Sequence, residues 1–173
     1  MPTSPELHRP SLLTDAVMAG IMLALALGVQ NFRLPNPVTG ILVNAIFLVT
    51  LARGSLRCAL LLAGLTPVGA LLTGHLPAPL ILLAPVIVPG NIVYIAIASA
   101  TRRWSRLVEA LAASGAKALL IGVGGILLAG SMGWPPEVRL LLGGITGIQF
   151  FTGFAGVLLG EVLADRLQPR SGS

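Results

Sequence analysis

Residues 58–101 read CALLLAGLTPVGALLTGHLPAPLILLAPVIVPGNIVYIAIASAT, a run of 44 with no Asp, Glu, Lys or Arg between Arg57 and Arg102. A helix that crosses a bilayer needs about 20 predominantly apolar residues, so this run is too long for one span. Gly74-His75-Leu76-Pro77-Ala78-Pro79 gathers a glycine and two prolines near its middle and marks a turn between two helices.

The same reading extends outward from that run. Charged residues bound four further apolar stretches: 16–32 between Asp15 and Arg33, 34–52 between Arg33 and Arg53, 118–136 between Lys117 and Glu137, and 140–160 between Arg139 and Glu161. The chain therefore reads as all-α, a polytopic membrane protein of six transmembrane helices forming one integral membrane domain over 1–173. The expected segments are 12–32, 38–52, 56–73, 79–100, 110–131 and 138–164. The second is short and follows Leu34-Pro35-Asn36-Pro37, which predicts either tilt or continuation from an ordered loop. Ala24-Leu25-Ala26 resembles a leader-cleavage site, but Glu6 and Asp15 beside Arg9 weaken the positive region a leader needs, so the first segment is expected to be retained. No soluble domain is expected, and the tails are expected to fray.

Composition agrees. Of 173 residues, 55% are hydrophobic and 10% charged, with a mean hydropathy of +0.92. Soluble domains carry about 25% charged residues, so this chain lacks the polar surface to sit in water. A soluble enzyme, a nucleic-acid binder and a secreted disulfide scaffold are excluded on that ground. The single cysteine, Cys58, lies in an apolar run and reads as a small buried hydrophobe.

The net charge of +5 bears on orientation. With the N-terminus inside, eight arginines (9, 53, 57, 102, 103, 106, 166 and 170) face the cytoplasm and two (33 and 139) face outward, with Lys117 inside the membrane. The positive-inside rule then places both termini in the cytoplasm of a multi-pass cell-membrane protein. Trp104 and Trp134 fall at opposite interfaces, where amphipathic rings are favoured.

Small residues recur at steps of four: Ala16, Gly20, Ala24 and Gly28 in the first segment, and Ala110, Ser114, Ala118 and Gly122 in the fifth. The sixth carries Gly143 and Gly147, then Thr152, Gly156, Gly160 and Ala164. Such a stripe shares one helix face and lets another backbone approach closely. Internal packing is expected in the fifth and sixth segments. The first-segment stripe is open to two readings, internal packing or docking of a second subunit.

Polar side chains at membrane depth are expensive, which makes each a functional candidate. Thr39, Asn44, Thr66, Asn91, Gln149 and Thr152 fall in the outer half or the middle of their segments and are the expected substrate-binding set. Interhelical hydrogen bonding is the alternative for each, and the sequence leaves both open for Asn44, Asn91 and Gln149. Pro67, Pro85 and Pro89 are expected to break helical hydrogen bonds, a disruption tolerated where backbone lines a cavity. Lys117 is assigned a structural role, snorkelling to the cytoplasm or pairing with Glu161 or Asp165. His75 is expected to be a solvated loop histidine, not a metal ligand.

No catalytic set is present: no HExxH, no paired intramembrane carboxylates, no Ser/His/Asp constellation and no Gly-Lys-Ser/Thr phosphate loop. The chain is expected not to be an enzyme and to need no cofactor or metal. No acid lies at a segment midpoint, which disfavours an ion-coupled carrier.

Asn36-Pro37-Val38-Thr39-Gly40-Ile41-Leu42-Val43-Asn44-Ala45, Gly64-Leu65-Thr66-Pro67, Gly74-His75-Leu76-Pro77-Ala78-Pro79, Pro89-Gly90-Asn91 and Gln149-Phe150-Phe151-Thr152-Gly153 resemble the substrate-binding S components of energy-coupling factor (ECF) transporters. The resemblance is to a group with a Thr-Gly-x-x-Val-Asn-Ala signature, and it covers 12–165. It implies an S-component-like bundle that captures a small vitamin-like nutrient, joins a transmembrane T component and two cytoplasmic ATPases that supply the ATP hydrolysis, and topples in the membrane to release its cargo. It further implies that the Ala16, Gly20, Ala24 and Gly28 face docks on the T component, although this stripe alternates Ala and Gly where the family has Ala-x-x-x-Ala. A membrane interaction or scaffold subunit without a substrate of its own is the alternative.

Overall fold

A computed structural model describes residues 12–32, 34–74 and 81–167. Among these the chain is entirely helical: α1 (Leu12–Asn31), α2 (Asn36–Arg53), α3 (Leu56–Leu72), α4 (Ala84–Thr101), α5 (Arg106–Ser131) and α6 (Pro136–Arg166). Five of the helices are long and apolar enough to cross a membrane, and α3, at 17 residues, falls just short of them. The result is a polytopic helical bundle. Residues 75–80, which hold His75 and most of the expected turn, lie outside the described residues, as do Arg33 and both tails.

Local chemistry sets the boundaries. Pro37 sits in the first turn of α2 and Pro136 opens α6, positions where a missing N–H costs nothing. The Ser55 side chain accepts from Cys58 N at 3.1 Å to cap α3, and Ser105 accepts from Val108 N at 3.3 Å to cap α5. The expected short second span is thus a full 18 residues beginning at Asn36, because Pro35 occupies the cap position and Pro37 lies within the first turn. The cap at Ser105 likewise starts α5 four residues before the expected 110. Pro85 is in the first turn of α4, so it breaks no helical bond; Pro67 and Pro89 are inside their helices.

The helices pack as a closed ring in the order α1, α3, α4, α5, α6, α2, with α2 also touching α3 and α4 across it. One apolar cluster, including Phe47, Leu48, Leu62, Tyr94, Ile95 and Val157, fills the end of the ring where the arginine-bearing termini of α2 to α6 meet. A smaller one (Leu83, Ile87, Ile121, Ala129, Leu142) joins α4, α5 and α6 nearer the other end. At the arginine end, Ser55 donates to Asp15 at 2.6 Å, Arg102 donates to the Leu51 carbonyl at 3.3 Å, and Arg106 pairs with Asp165. Trp104 and Trp134 lie in the connections at opposite ends of α5.

Two glycines decide how close α2 and α6 come. A Cβ on Gly160 would stand 2.5 Å from Leu48 Cβ and 3.0 Å from the Ala45 carbonyl oxygen, and one on Gly156 would run into Asn44 Cβ. The expected internal packing of the sixth segment therefore holds for Thr152, Gly156, Gly160 and Ala164, all buried. It fails for Gly143 and Gly147, which are exposed with nothing near them, because only the arginine-end half of α6 lies against α2 at this distance. On α5, Ala110, Ser114 and Ala118 are buried as expected, and Gly122 meets Thr146 of α6.

The first helix packs through Asp15, Ala19 and Ala26, with Met22 and Leu23 against the main cluster. Ala16, Gly20 and Ala24 point away from the bundle, and Gly28 is half-buried with open space beside it.

Gly160→Ala is expected to destabilise the protein by about 1–3 kcal/mol through overpacking, whereas Gly147→Ala is expected to be neutral or stabilising by up to about 1 kcal/mol through helix propensity. Unfolding in detergent micelles, followed by circular dichroism, checks the contrast.

Candidate functional site

The ring encloses a cavity of about 390 Å³ to which all six helices contribute. It reaches Leu34 in the α1–α2 connection and Gly74 just past α3, so it lies toward the end of the bundle opposite the arginine cluster. That volume falls in the ordinary range for small-molecule sites. Thr39, Asn44, Thr66, Asn91, Gln149 and Thr152, six positions spread over 114 residues of sequence, all line it. Gln30 of α1, Asn36 of α2 and Lys117 of α5 join them.

Three of the hydroxyls are held by backbone close in sequence. Thr66 donates to the Leu62 carbonyl at 2.7 Å, Thr39 to Leu34 at 3.3 Å and Thr152 to Gln149 at 3.4 Å. A hydroxyl that donates backward in this way keeps acceptor capacity for a neighbour.

Asn91 is placed by a proline on another helix. Pro67 has no N–H, so the carbonyl four residues earlier, Ala63 O, loses its helical donor. Asn91 Nδ2 of α4 approaches that oxygen at 3.4 Å and stands in for the missing donor. This fixes the amide orientation, since the flipped form would set oxygen against oxygen. It leaves Asn91 Oδ1 buried without a hydrogen-bond partner in a residue only 5% exposed. Gly90, one residue earlier, lets α4 lie close to α5: a Cβ there would stand 2.8 Å from Ile121 Cγ1 and 3.8 Å from the Lys117 carbonyl oxygen.

Lys117 takes neither of the two arrangements read from sequence. It neither snorkels nor pairs with Glu161 or Asp165. It lies roughly 16 Å along the α5 axis from Arg106, is 3% exposed, and donates from Nζ to Asn44 Oδ1 at 2.9 Å. Asp165 is taken by Arg106 at the bundle end. The ammonium also stands 5.1 Å from the centre of the Tyr94 ring, whose hydroxyl donates to the Gly153 carbonyl at 2.8 Å and so locks the ring in place. Asn44 Nδ2 reaches Thr152 Oγ1 at 3.5 Å, which links α5, α2 and α6 through one polar chain.

Lys117 lines the cavity but falls outside the substrate-binding set expected from sequence. Its signal was present, a lone charge in an apolar run, but long side chains so often reach an interface that depth alone did not separate the two cases. Gln30 was unflagged because it falls near the end of α1. Among the described residues no group of His, Cys, Asp and Glu is gathered as a metal site would need. No protein-family model, curated protein or solved structure matches the chain.

The Pro67–Asn91 relation is testable as a double-mutant cycle. Asn91→Ala is expected to cost about 1 kcal/mol by leaving Ala63 O without a donor. Adding Pro67→Ala restores a backbone N–H to that oxygen, so a favourable coupling of roughly 0.5–1.5 kcal/mol is expected between the two changes. Unfolding in detergent of the four proteins measures it, and additive values would refute the account.

Proposed function

We propose that the chain is the substrate-capture subunit of an ECF-type importer for a small vitamin-like nutrient, with a T component and two cytoplasmic ATPases as partners. The observation that carries the proposal is the convergence of six scattered polar positions on one cavity. Polar residues serving only as interhelical glue have no need of some 390 Å³ of open space between them, since protein interiors otherwise pack to near-crystalline density. That favours a capture subunit over a scaffold subunit.

The open side of α1 supports the same reading. Ala16, Gly20 and Ala24 face away from the bundle and Gly28 has nothing beside it, so a backbone of another subunit has room to approach there. In this reading the protein sits in the cell membrane with both termini cytoplasmic. The arginine-rich end then faces the cytoplasm, and the cavity faces outward, where a scarce nutrient would be met.

Two experiments test the proposal. The tagged chain, coexpressed with a T component and the paired ATPases of its host, is expected to copurify with them, and Gly20→Leu together with Ala24→Leu is expected to abolish that association. Intact association in the double variant would sink the docking face. Asn44→Ala is expected to weaken ligand-dependent stabilisation at least tenfold, as loss of a hydrogen bond to a charged group does, measured by thermal unfolding with a nutrient mixture.

A further inference from the structure

Lys117 is a basic side chain in an apolar interior, and among the described residues no acid stands beside it. Of the acids in the described residues, Asp15, Glu109, Glu161 and Asp165 belong to the arginine end and Glu137 to the start of α6 at the other end. None of them lines the cavity. The nearest along α5, Glu109, is two turns away, roughly 12 Å of helical rise. The ion pair found among the described residues, Arg106 with Asp165, lies at the bundle end. Among the described residues no acid pairs with Lys117, and an amine buried in this way carries its charge at a high desolvation cost unless an anion comes to it.

What the protein does supply is orientation. An ammonium has three donors, and one goes to Asn44 Oδ1 at 2.9 Å. Asn44 is held in turn against Thr152, and the locked Tyr94 ring offers its π face at 5.1 Å. The remaining donors belong to a group that lines the cavity. Asn91 lines the same cavity, and its buried Oδ1 is an acceptor without a donor. Two polar groups, one basic donor and one neutral acceptor, are left incomplete on the same cavity. The rest of the lining includes Val43, Phe47, Ala70, Ile87 and Ile148, which are apolar.

We propose that the cavity takes a small organic acid, its carboxylate bound by Lys117, a hydrogen-bond donor of the same molecule meeting Asn91 Oδ1, and its apolar body lying against the surrounding aliphatic and aromatic side chains. One ammonium matches one carboxylate. A phosphate would call for more positive charge than the one lysine found in the lining, and among the described residues no arginine lines the cavity. A carboxylate supplies the counter-charge that lets the buried amine be protonated, which a neutral or cationic molecule does not. The proposal rests on reading the cavity as a capture site and adds the charge class of what is captured.

The test uses the full chain purified in detergent and the small-molecule portion of yeast extract, divided on an anion-exchange resin at neutral pH into a retained, anionic fraction and a flow-through of neutral and cationic molecules. The anionic fraction is expected to raise the melting temperature and the flow-through to leave it unchanged, with inorganic phosphate alone giving no rise. Lys117→Met is expected to need roughly 10 to 100 times more of the anionic fraction for the same rise, the scale of a charge-assisted hydrogen bond, and Lys117→Arg, which keeps the charge, is expected to lose less. A rise produced by the flow-through or by phosphate overturns the carboxylate assignment while leaving the capture reading standing. So does an unchanged response in Lys117→Met. No rise with any fraction overturns both. The comparison of fractions is made on the wild-type protein and so holds even if a Lys117 variant does not fold.

Discussion

A bilayer interior offers no water to a polar group, and that constraint organises this protein. Every side chain and carbonyl that is polar at membrane depth must find its partner inside the ring of helices. Pro67 removes one backbone donor and Asn91 moves in to serve the Ala63 carbonyl. Lys117 cannot be hydrated by lipid, so it turns to Asn44 and to the Tyr94 ring. Thr66, Thr101 and Thr146 bond back to their own helices. The cavity is where these demands meet, because it is the place at membrane depth where polar groups from different helices share one space.

The same ring is dense at one end and open at the other for reasons of side-chain size. Gly156 and Gly160 bring α6 against α2 at Asn44, Ala45 and Leu48, and the aromatic and aliphatic cluster around Phe47 and Tyr94 fills that end. Asn44 stands at the upper edge of the contact, so the tight packing that closes the bundle below also anchors the polar chain above it. Tyr94 belongs to both: its ring is core, its hydroxyl fixes Gly153, and its face receives the ammonium. Moving α6 away from α2 would therefore disturb the site as well as the fold.

The outside is apolar in a way suited to lipid. Leu12, Leu13, Val17, Ile21 and Leu25 are all exposed on α1, and the small residues Ala16, Gly20 and Ala24 are exposed with them. α1 is thus attached through one side, Ala19, Ala26 and the Asp15–Ser55 bond, with the rest of its circumference available to lipid or to another subunit. That division separates the cavity within the ring from an open face outside it.

Charge positions along the chain were enough to count the helices and to exclude water as the surrounding solvent, because a charge within an apolar span is costly wherever the span lies. They were also enough to nominate Thr39, Asn44, Thr66, Asn91, Gln149 and Thr152, since a polar residue within a span must either pack or line a cavity. Helix starts were less legible, as at Asn36 and Arg106, where proline and serine caps extend a helix past its apolar stretch. Only the tertiary structure brought those residues from different helices to one cavity, separated the packed glycines of α6 from its open ones, and turned Lys117 inward. Those outcomes depend on which helices become neighbours and how each is rotated about its axis. Burial against a neighbour sets both, and hydropathy along a single chain does not record it.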